Sequence, residues 1–405
     1  MLTPDQIAIV KSTVPLLESA GPAITQHFYQ RMFSHNPELK DIFNLSHQHS
    51  GGQPVALFNA VAAYAKYIDN LPVLTAAVER IAHKHTSFNI QPEQYNIVGH
   101  HLIQTLKELA PDAFTAEVED AWAAAYQQLA NIFIGREAEI YQANASAAGG
   151  WQGARKFKVQ EKHQESELVT SFVFVPVDGQ PVVDFQPGQY LGIRVQPESS
   201  DYQEIRQYSL SDRANGNSYR ISVKREAAQD TNGKPGIVSN YLHDHIEVND
   251  KLELFAPAGD FFFTDHQRPV VVISAGVGLT PMISIVETLA AKQYQQPVLF
   301  LHACENSAQH SFARRIHELS ECLPLNSHIW YRQDNAAENQ EGLSLNIHHG
   351  LMQLESVKSQ LPLVDGDFYL CGPVGFMQFA KQQLLELGVD QRRIHYEVFG
   401  PHKDF

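Results

Sequence analysis

Ser274-Ala275-Gly276-Val277-Gly278-Leu279-Thr280-Pro281 decides how the last third of this 405-residue chain folds. It lies inside residues 269–286, which carry no charge between Arg268 and Glu287 and could be mistaken for a membrane span. Two glycines, a threonine and a proline interrupt the run midway, so no single helix continues through it. It reads instead as a strand, a glycine turn and a helix start. Beyond this turn, strands and helices alternate: 270–274 then 281–289, 298–302 then 312–319, and 368–370 then 374–387. That alternation predicts a parallel, doubly wound sheet.

Upstream the pattern changes twice. Residues 172–176, 189–195, 219–223 and 252–255 are short apolar runs between turn residues, which predicts a small antiparallel β-barrel. Before them, Asn144-Ala145-Ser146-Ala147-Ala148-Gly149-Gly150 is small and flexible in composition, so a hinge is expected there. Residues 1–143 read as almost wholly helical. Gly21-Pro22 is expected to break the first helix, Asn36-Pro37 to end the next, and Leu71-Pro72, Gln91-Pro92 and Ala110-Pro111 to mark later corners. Thr3-Pro4-Asp5-Gln6 has the form of a helix start with a capping box rather than of a signal peptide. The expected order is an all-α domain (1–143), a linker (144–153), an antiparallel β-barrel domain (154–265) and an α/β parallel-sheet domain (266–405).

With 43% hydrophobic and 19% charged residues the chain can bury real cores. A formal charge of −15 argues against nucleic acid or an anionic membrane surface as partner. Cys304, Cys322 and Cys371 are its only cysteines, with no C-x-x-C pair. That excludes an all-cysteine iron–sulfur cluster or structural zinc site and suits a reducing compartment. The expectation is a soluble, cytoplasmic monomer with small-molecule partners.

In the helical part, Ile81-Ala82-His83-Lys84-His85-Thr86-Ser87-Phe88 places His85 at the end of an apolar face formed by Leu74, Ala77, Val78 and Ile81. An imidazole there can ligate a flat apolar cofactor through one nitrogen. Gln53, Leu57 and Val61 lie four apart after Gly51-Gly52, Tyr29 and Phe33 share a helical face, and Phe43 follows the Pro37 corner. Each residue alone also reads as ordinary packing. As a set they resemble a bacterial globin. The resemblance implies His85 as the proximal ligand of the haem iron, Phe43 as the haem clamp with Leu57 beside it, and Tyr29 and Gln53 as a distal catalytic pair. It also places Tyr95 and Glu137 behind the imidazole and gives Lys84 an indirect role. A phenol and an amide can donate hydrogen bonds to bound O2. A carboxylate behind the imidazole raises ligand basicity and favours chemistry over storage. The plain alternative for Glu137 is an ion pair with Arg136.

In the second part, Arg206-Gln207-Tyr208-Ser209 follows Pro187-Gly188-Gln189-Tyr190. It resembles the R-x-Y-S motif of ferredoxin–NADP-reductase-like enzymes. The resemblance implies that Arg206 pairs with the FAD pyrophosphate, Tyr208 stacks on the isoalloxazine, and Ser209 reaches its reactive nitrogen, with Tyr190 and Gln207 nearby. These roles suit a bidentate guanidinium, a flat aromatic and a small donor. Gly236-Ile237-Val238-Ser239-Asn240 is similar to that family's phosphate-binding helix start, carried by Gly236, Val238 and Ser239.

Pro281 stands where the dinucleotide fingerprint G-x-G-x-x-G has its last glycine, which weakens a standard Rossmann reading. Gly276, Val277, Gly278, Leu279, Thr280 and Pro281 match instead the reductase form G-x-G-x-T-P. Cys371-Gly372-Pro373 matches its nicotinamide-side motif. Glu397-Val398-Phe399-Gly400-Pro401 matches the tail whose aromatic covers the flavin. A nucleophilic Cys371 is tempting, but no histidine adjoins it in the local motif.

Globin plus reductase resembles the flavohaemoglobins. That family implies haem b, FAD and NAD(P)H as cofactors and nitric oxide dioxygenase activity. NAD(P)H reduces FAD, FAD passes electrons singly to the haem, and O2 held there converts NO to nitrate. Two other readings stay open, an NAD(P)H-dependent flavin or ferric reductase (a diaphorase) and an oxygen or NO carrier or sensor. Glu305, after the strand at 298–302, is the candidate for favouring NADH over NADPH, because a carboxylate accepts from both ribose hydroxyls and repels a 2′-phosphate. Arg314 and Arg315 lie close in sequence and could welcome that phosphate instead.

Overall fold

The computed structural model describes residues 2–21, 23–43, 52–228, 235–333, 343 and 345–400. By packing, the chain divides into two compact units. One comprises Met1–Ala147, Trp151–Ala154 and Arg194–Arg206, and the other Ala148–Gly150, Arg155–Ile193 and Gln207–Phe405.

The N-terminal part of the first unit is helical: α1 (Pro4–Ser12), α2 (Val14–Ala20), α3 (Ala23–His35), α4 (Gly52–Tyr67), α5 (Thr75–Thr86), α6 (Pro92–Leu109) and α7 (Ala116–Ser146). The capping box forms as expected, with Thr3 N donating to Gln6 Oε1 at 2.9 Å and Gln6 N to Thr3 Oγ1 at 3.2 Å. The first break comes earlier than Gly21-Pro22. Pro15 falls in the first turn of α2, where its missing N–H is no loss, so the helix restarts after Thr13. Thr13 is fixed there because its hydroxyl accepts from Trp122 Nε1 at 3.1 Å. Leu71-Pro72 opens a short 3-10 turn (Leu71–Leu74), and the α-helix proper starts at Thr75. Two apolar clusters matter for function. One gathers Phe28, Tyr29, Met32, Leu39 and Leu102, with Phe43 and Leu57 against them. The other gathers Ala82, Tyr95, Ala130, Phe133 and Ile140. Tyr126 packs against both.

The second fold element is a six-stranded sheet of β1 (Arg155–Gln164), β2 (Val169–Pro176), β3 (Tyr190–Val195), β4 (Glu204–Ser209), β5 (Tyr219–Lys224) and β6 (Lys251–Leu254), with α8 (Ile237–His245) before β6. Its order is β4-β3-β6-β1-β2-β5, and β1–β2, β1–β6 and β2–β5 pair antiparallel. The ten-residue β1 had no clear sequence signal, because Lys and Glu crowd it and only Phe157 and Val159 face inward. Helix α7 runs to Ser146, and the Gly149 carbonyl accepts from Arg155 Nη1 at 3.3 Å. The same guanidinium binds the Gln180 and Pro181 carbonyls and Asp178.

The last sheet has the order β10-β9-β8-β7-β11-β12 and is parallel throughout: β7 (Val270–Ala275), β8 (Val298–Cys304), β9 (Leu325–Tyr331), β10 (Asn346–His349), β11 (Asp367–Cys371) and β12 (Ile394–Glu397). Helices α9 (Leu279–Ala291), α10 (Ala313–Ser320) and α11 (Val374–Glu386) connect it. Every residue of β7 is buried, as expected for a strand covered on both faces. Val271, Val272 and Ile273 are fully inaccessible, each contributing about 1.5–3 kcal/mol by burial. The suspected membrane run is therefore β7, a 3-10 turn and α9. Among the described residues, no single helix is long and apolar enough to cross a membrane.

Candidate functional site

His85 closes the last turn of α5, with its Nδ1 2.8 Å from Glu137 Oε1 and 2.9 Å from the Tyr95 hydroxyl. Tyr95 donates to the same Glu137 oxygen at 2.5 Å. Three helices, α5, α6 and α7, thus converge on one carboxylate oxygen. Glu137 is only 3% exposed, and the phenol of Tyr95 is pushed up by burial and by that carboxylate. Arg136 does not pair with Glu137; it turns to Glu79 and Glu139. With Nδ1 engaged, the Nε2 of His85 has no hydrogen bond among the described residues. An imidazole held this way, beside Phe133, fits a ligand to a haem iron. Lys84, its neighbour on α5, is half-buried, and its carbonyl accepts from Ser87 Oγ at 2.6 Å.

Tyr29 is 6% exposed on α3, stacked on Phe33 (5.8 Å between centroids) and edge-on to Phe43 (5.9 Å). Leu57 of α4 joins that cluster half-buried. Tyr29, Phe33, Phe43 and Leu57 thus meet in one cluster. Gln53 lies on α4, but its side chain is outside the described residues, as is Pro401. An aromatic, apolar cluster with one buried phenol fits the distal side of a haem.

In the antiparallel sheet, Arg206, Gln207, Tyr208 and Ser209 occupy β4, and Tyr190 starts β3. Arg206 is not idle, since its Nη1 lies 2.9 Å from Glu204 Oε2 and donates to the Ile205 carbonyl at 2.8 Å. Glu204 is 3% exposed, so this pair aims the guanidinium before any ligand arrives. Gly236 caps α8, with Val238 and Ser239 buried in its first turn. A Cβ on Gly236 would fall 2.5 Å from Ser239 Oγ and 2.9 Å from Glu226 Cβ. That close-packed turn, with the unpaired N–H groups every helix start offers, fits a phosphate group of FAD.

The parallel sheet reverses its strand order between β7 and β11, and ligands bind at the carboxyl ends of strands at such a point. The turn Gly276–Gly278 and the Cys371-Gly372-Pro373 loop meet there. A Cβ on Gly278 would lie 2.3 Å from the Cys371 carbonyl oxygen. Val277 is half-buried, while Leu279, Thr280 and Pro281 are buried in the first turn of α9. Parallel pairing sets Cys371 beside Glu397. Val398 is buried, and Phe399, 44% exposed, leads into Gly400. The Cys371 thiol is fully buried and raised by that burial and by Glu397, so it is no nucleophile. The backbone approach of these loops fits a dinucleotide.

Glu305 follows β8, and its carboxylate is 2.8 Å from Arg332 Nε, at the end of β9. Arg315 pairs with buried Glu287 through two of its nitrogens, at 2.7 and 2.8 Å. Sequence reading missed Arg332 because it missed β9. The apolar–polar run at 325–331 was the available signal. It also missed Glu79, whose partner Arg136 is the residue beside Glu137.

Three family models match this chain: globin over residues 26–133, oxidoreductase FAD-binding domain over 156–263 and oxidoreductase NAD-binding domain over 272–382. A flavohemoprotein of Vibrio cholerae serotype O1 is 60% identical over 402 residues, 99% of each chain. The crystal structure of a flavohemoglobin from Malassezia yamatoensis, with bound FAD and haem, superposes with a TM-score of 0.83 at 27% identity, covering 98% of this chain and all of that one. The FAD/NAD-binding domain of a nitric oxide dioxygenase from Vibrio cholerae O1 biovar El Tor is 52% identical, with a TM-score of 0.57, over 62% of this chain and all of that one. An oxidoreductase built from a globin with an FAD-binding and an NAD-binding module, matched along its full length, belongs to the flavohemoprotein family.

Proposed function

We propose that the protein is an NAD(P)H-dependent nitric oxide dioxygenase that converts NO and O2 to nitrate. The observation that carries this reading is the grip of Glu137 and Tyr95 on His85. A storage globin has no need of a buried carboxylate behind its ligand, whereas that arrangement gives the imidazole anionic character and favours chemistry on O2. The name of the Vibrio cholerae reductase structure supports the same activity.

When bound, haem would supply O2 binding and one-electron chemistry, and FAD would turn a hydride from NAD(P)H into single electrons. The chain's own residues do the rest. His85 would hold the iron through Nε2, with Phe43 and Leu57 against the ring. Tyr29 and Gln53 would donate hydrogen bonds on the distal side, where the aromatic cluster around Tyr29 would supply an apolar wall. Arg206 and the Gly236 turn would hold the flavin phosphates, with Tyr208 and Ser209 at its ring and Phe399 over it. The turn 276–281 and the loop 371–373 would seat the nicotinamide nucleotide.

The test is NADH-driven NO consumption under O2, with nitrate measured, in the parent and in Tyr29→Phe. The parent should form nitrate in step with NADH oxidation. The variant should release O2 faster by about 1–3 kcal/mol, the loss of one buried hydrogen bond. Dye or ferric reduction without NO consumption would replace the proposal with the reductase reading. O2 binding without turnover would replace it with the carrier reading.

A further inference from the structure

We propose that Glu79 and Arg136 form a positioning clamp that sets the approach of the Glu137 carboxylate to His85. The inference rests on the reading of His85 as the haem ligand. Arg136 Nε donates to Glu79 Oε2 and Nη2 to Glu79 Oε1, both at 2.6 Å, a two-pronged pair between α7 and α5. Such a pair fixes both the separation and the relative rotation of the groups that carry it. Arg136 and Glu137 are consecutive on α7, about 100° apart around the helix. One therefore points inward to His85 while the other lies along the rim. Glu79 precedes His85 on α5 by about 9 Å of helix rise. The clamp therefore ties together the two helices whose spacing determines the 2.8 Å contact between His85 Nδ1 and Glu137 Oε1.

Two features mark this pair as a device for position more than for stability. Its side chains are about a third exposed (35% and 34%), where an ion pair contributes little to folding. The packing of α5 on α7 is supplied by Ala82, Ala130 and Phe133, with Val78, Ile81 and Ile134 around them. The pair is also braced from both sides: His83 Nε2 lies 3.1 Å from Glu79 Oε1, and Arg136 Nη1 lies 2.8 Å from Glu139 Oε2. Arg136 keeps the Glu79 carboxyl below its ordinary range, so the pair stays charged across the working pH.

The experiment uses the full-length, haem- and FAD-loaded protein and compares Arg136→Ala, Arg136→Lys, Glu79→Gln and the double swap Glu79→Arg/Arg136→Glu. Three quantities are read: the iron–histidine stretching frequency of the ferrous unliganded haem, the haem midpoint potential, and the rate of haem loss to an excess acceptor globin. Arg136→Ala should lower the stretching frequency, raise the potential and speed haem loss about ten-fold, the low end for a residue acting through a ligand's partner. The double swap should bring all three back toward the parent. Glu139→Gln, which removes only the exposed brace, should leave them unchanged. Should Arg136→Ala fold poorly, Arg136→Lys carries the test, since it keeps the charge, loses the two-pronged geometry and should shift the frequency in the same direction. Parent-like frequency and potential in Arg136→Lys and Glu79→Gln would overturn the clamp. A parent with no histidine-ligated haem spectrum would overturn the underlying haem reading as well, and so separates the two failures.

Discussion

Gly278→Ala tests the proposed nicotinamide site at a glycine whose added Cβ would meet only backbone. A Cβ at this position would sit 2.3 Å from the carbonyl oxygen of Cys371, 2.5 Å from its carbonyl carbon and 2.6 Å from the amide nitrogen of Gly372. All three are backbone atoms at the end of a fully buried strand, so no side chain can swing aside. The turn or the strand end must shift, which places the change within the about 1–3 kcal/mol of overpacking, toward its upper end. If the displaced loop is the one that seats the nucleotide, that energy appears as weaker binding, roughly a 5- to 150-fold rise in the NADH KM. Gly276→Ala is the comparison. Its Cβ would meet nothing within 4 Å, but its φ of +54° lies in the left-handed region, so the strain should be about 1–2 kcal/mol and purely conformational. The assay is NADH-driven flavin reduction by stopped flow, with the haem spectrum as a check on the globin module. Gly278→Ala should impair NADH more than Gly276→Ala, with both keeping haem. Parent-like NADH kinetics in Gly278→Ala would refute the close approach of the two loops.

Further outcomes follow from the other groups in the second unit. Glu305→Ala should free Arg332 from its 2.8 Å pair and shift preference from NADH toward NADPH by on the order of 1 kcal/mol, and adding Arg332→Ala should remove the NADPH gain. The ratio of kcat/KM for the two nucleotides checks this, and an unchanged ratio removes Glu305 from the site. His302 and His310 are buried side by side, and burial lowers them to about 3 and about 4. The unfolded chain therefore binds more protons than the folded one below the ordinary histidine range. Their contribution is fully present near neutral pH and is lost as pH falls from about 6.5 toward those values. Denaturation midpoints across that window should fall less steeply in His302→Asn than in the parent, and equal slopes would refute the assignment.

The sequence by itself determined the three kinds of structure and the haem, FAD and NAD modules they carry. Period, prolines and glycines separate helices from strands because those signals are local: Thr3-Pro4-Asp5-Gln6 caps a helix wherever it occurs, and Gly276 to Pro281 turns a strand into a helix. It could nominate His85, Tyr95 and Glu137 from their resemblance, but left Glu137 to choose between His85 and Arg136. Only the packing of α5, α6 and α7 decided that, because neighbours on one helix diverge by about 100° while residues fifty apart can share a hydrogen bond. The charged strand β1 was illegible because its partners, not its own composition, make it a strand. Likewise, nothing local ties Cys371 to Gly278, Glu305 to Arg332, or Glu79 to Arg136. Strand order and helix crossing set those distances, and they are properties of the whole chain.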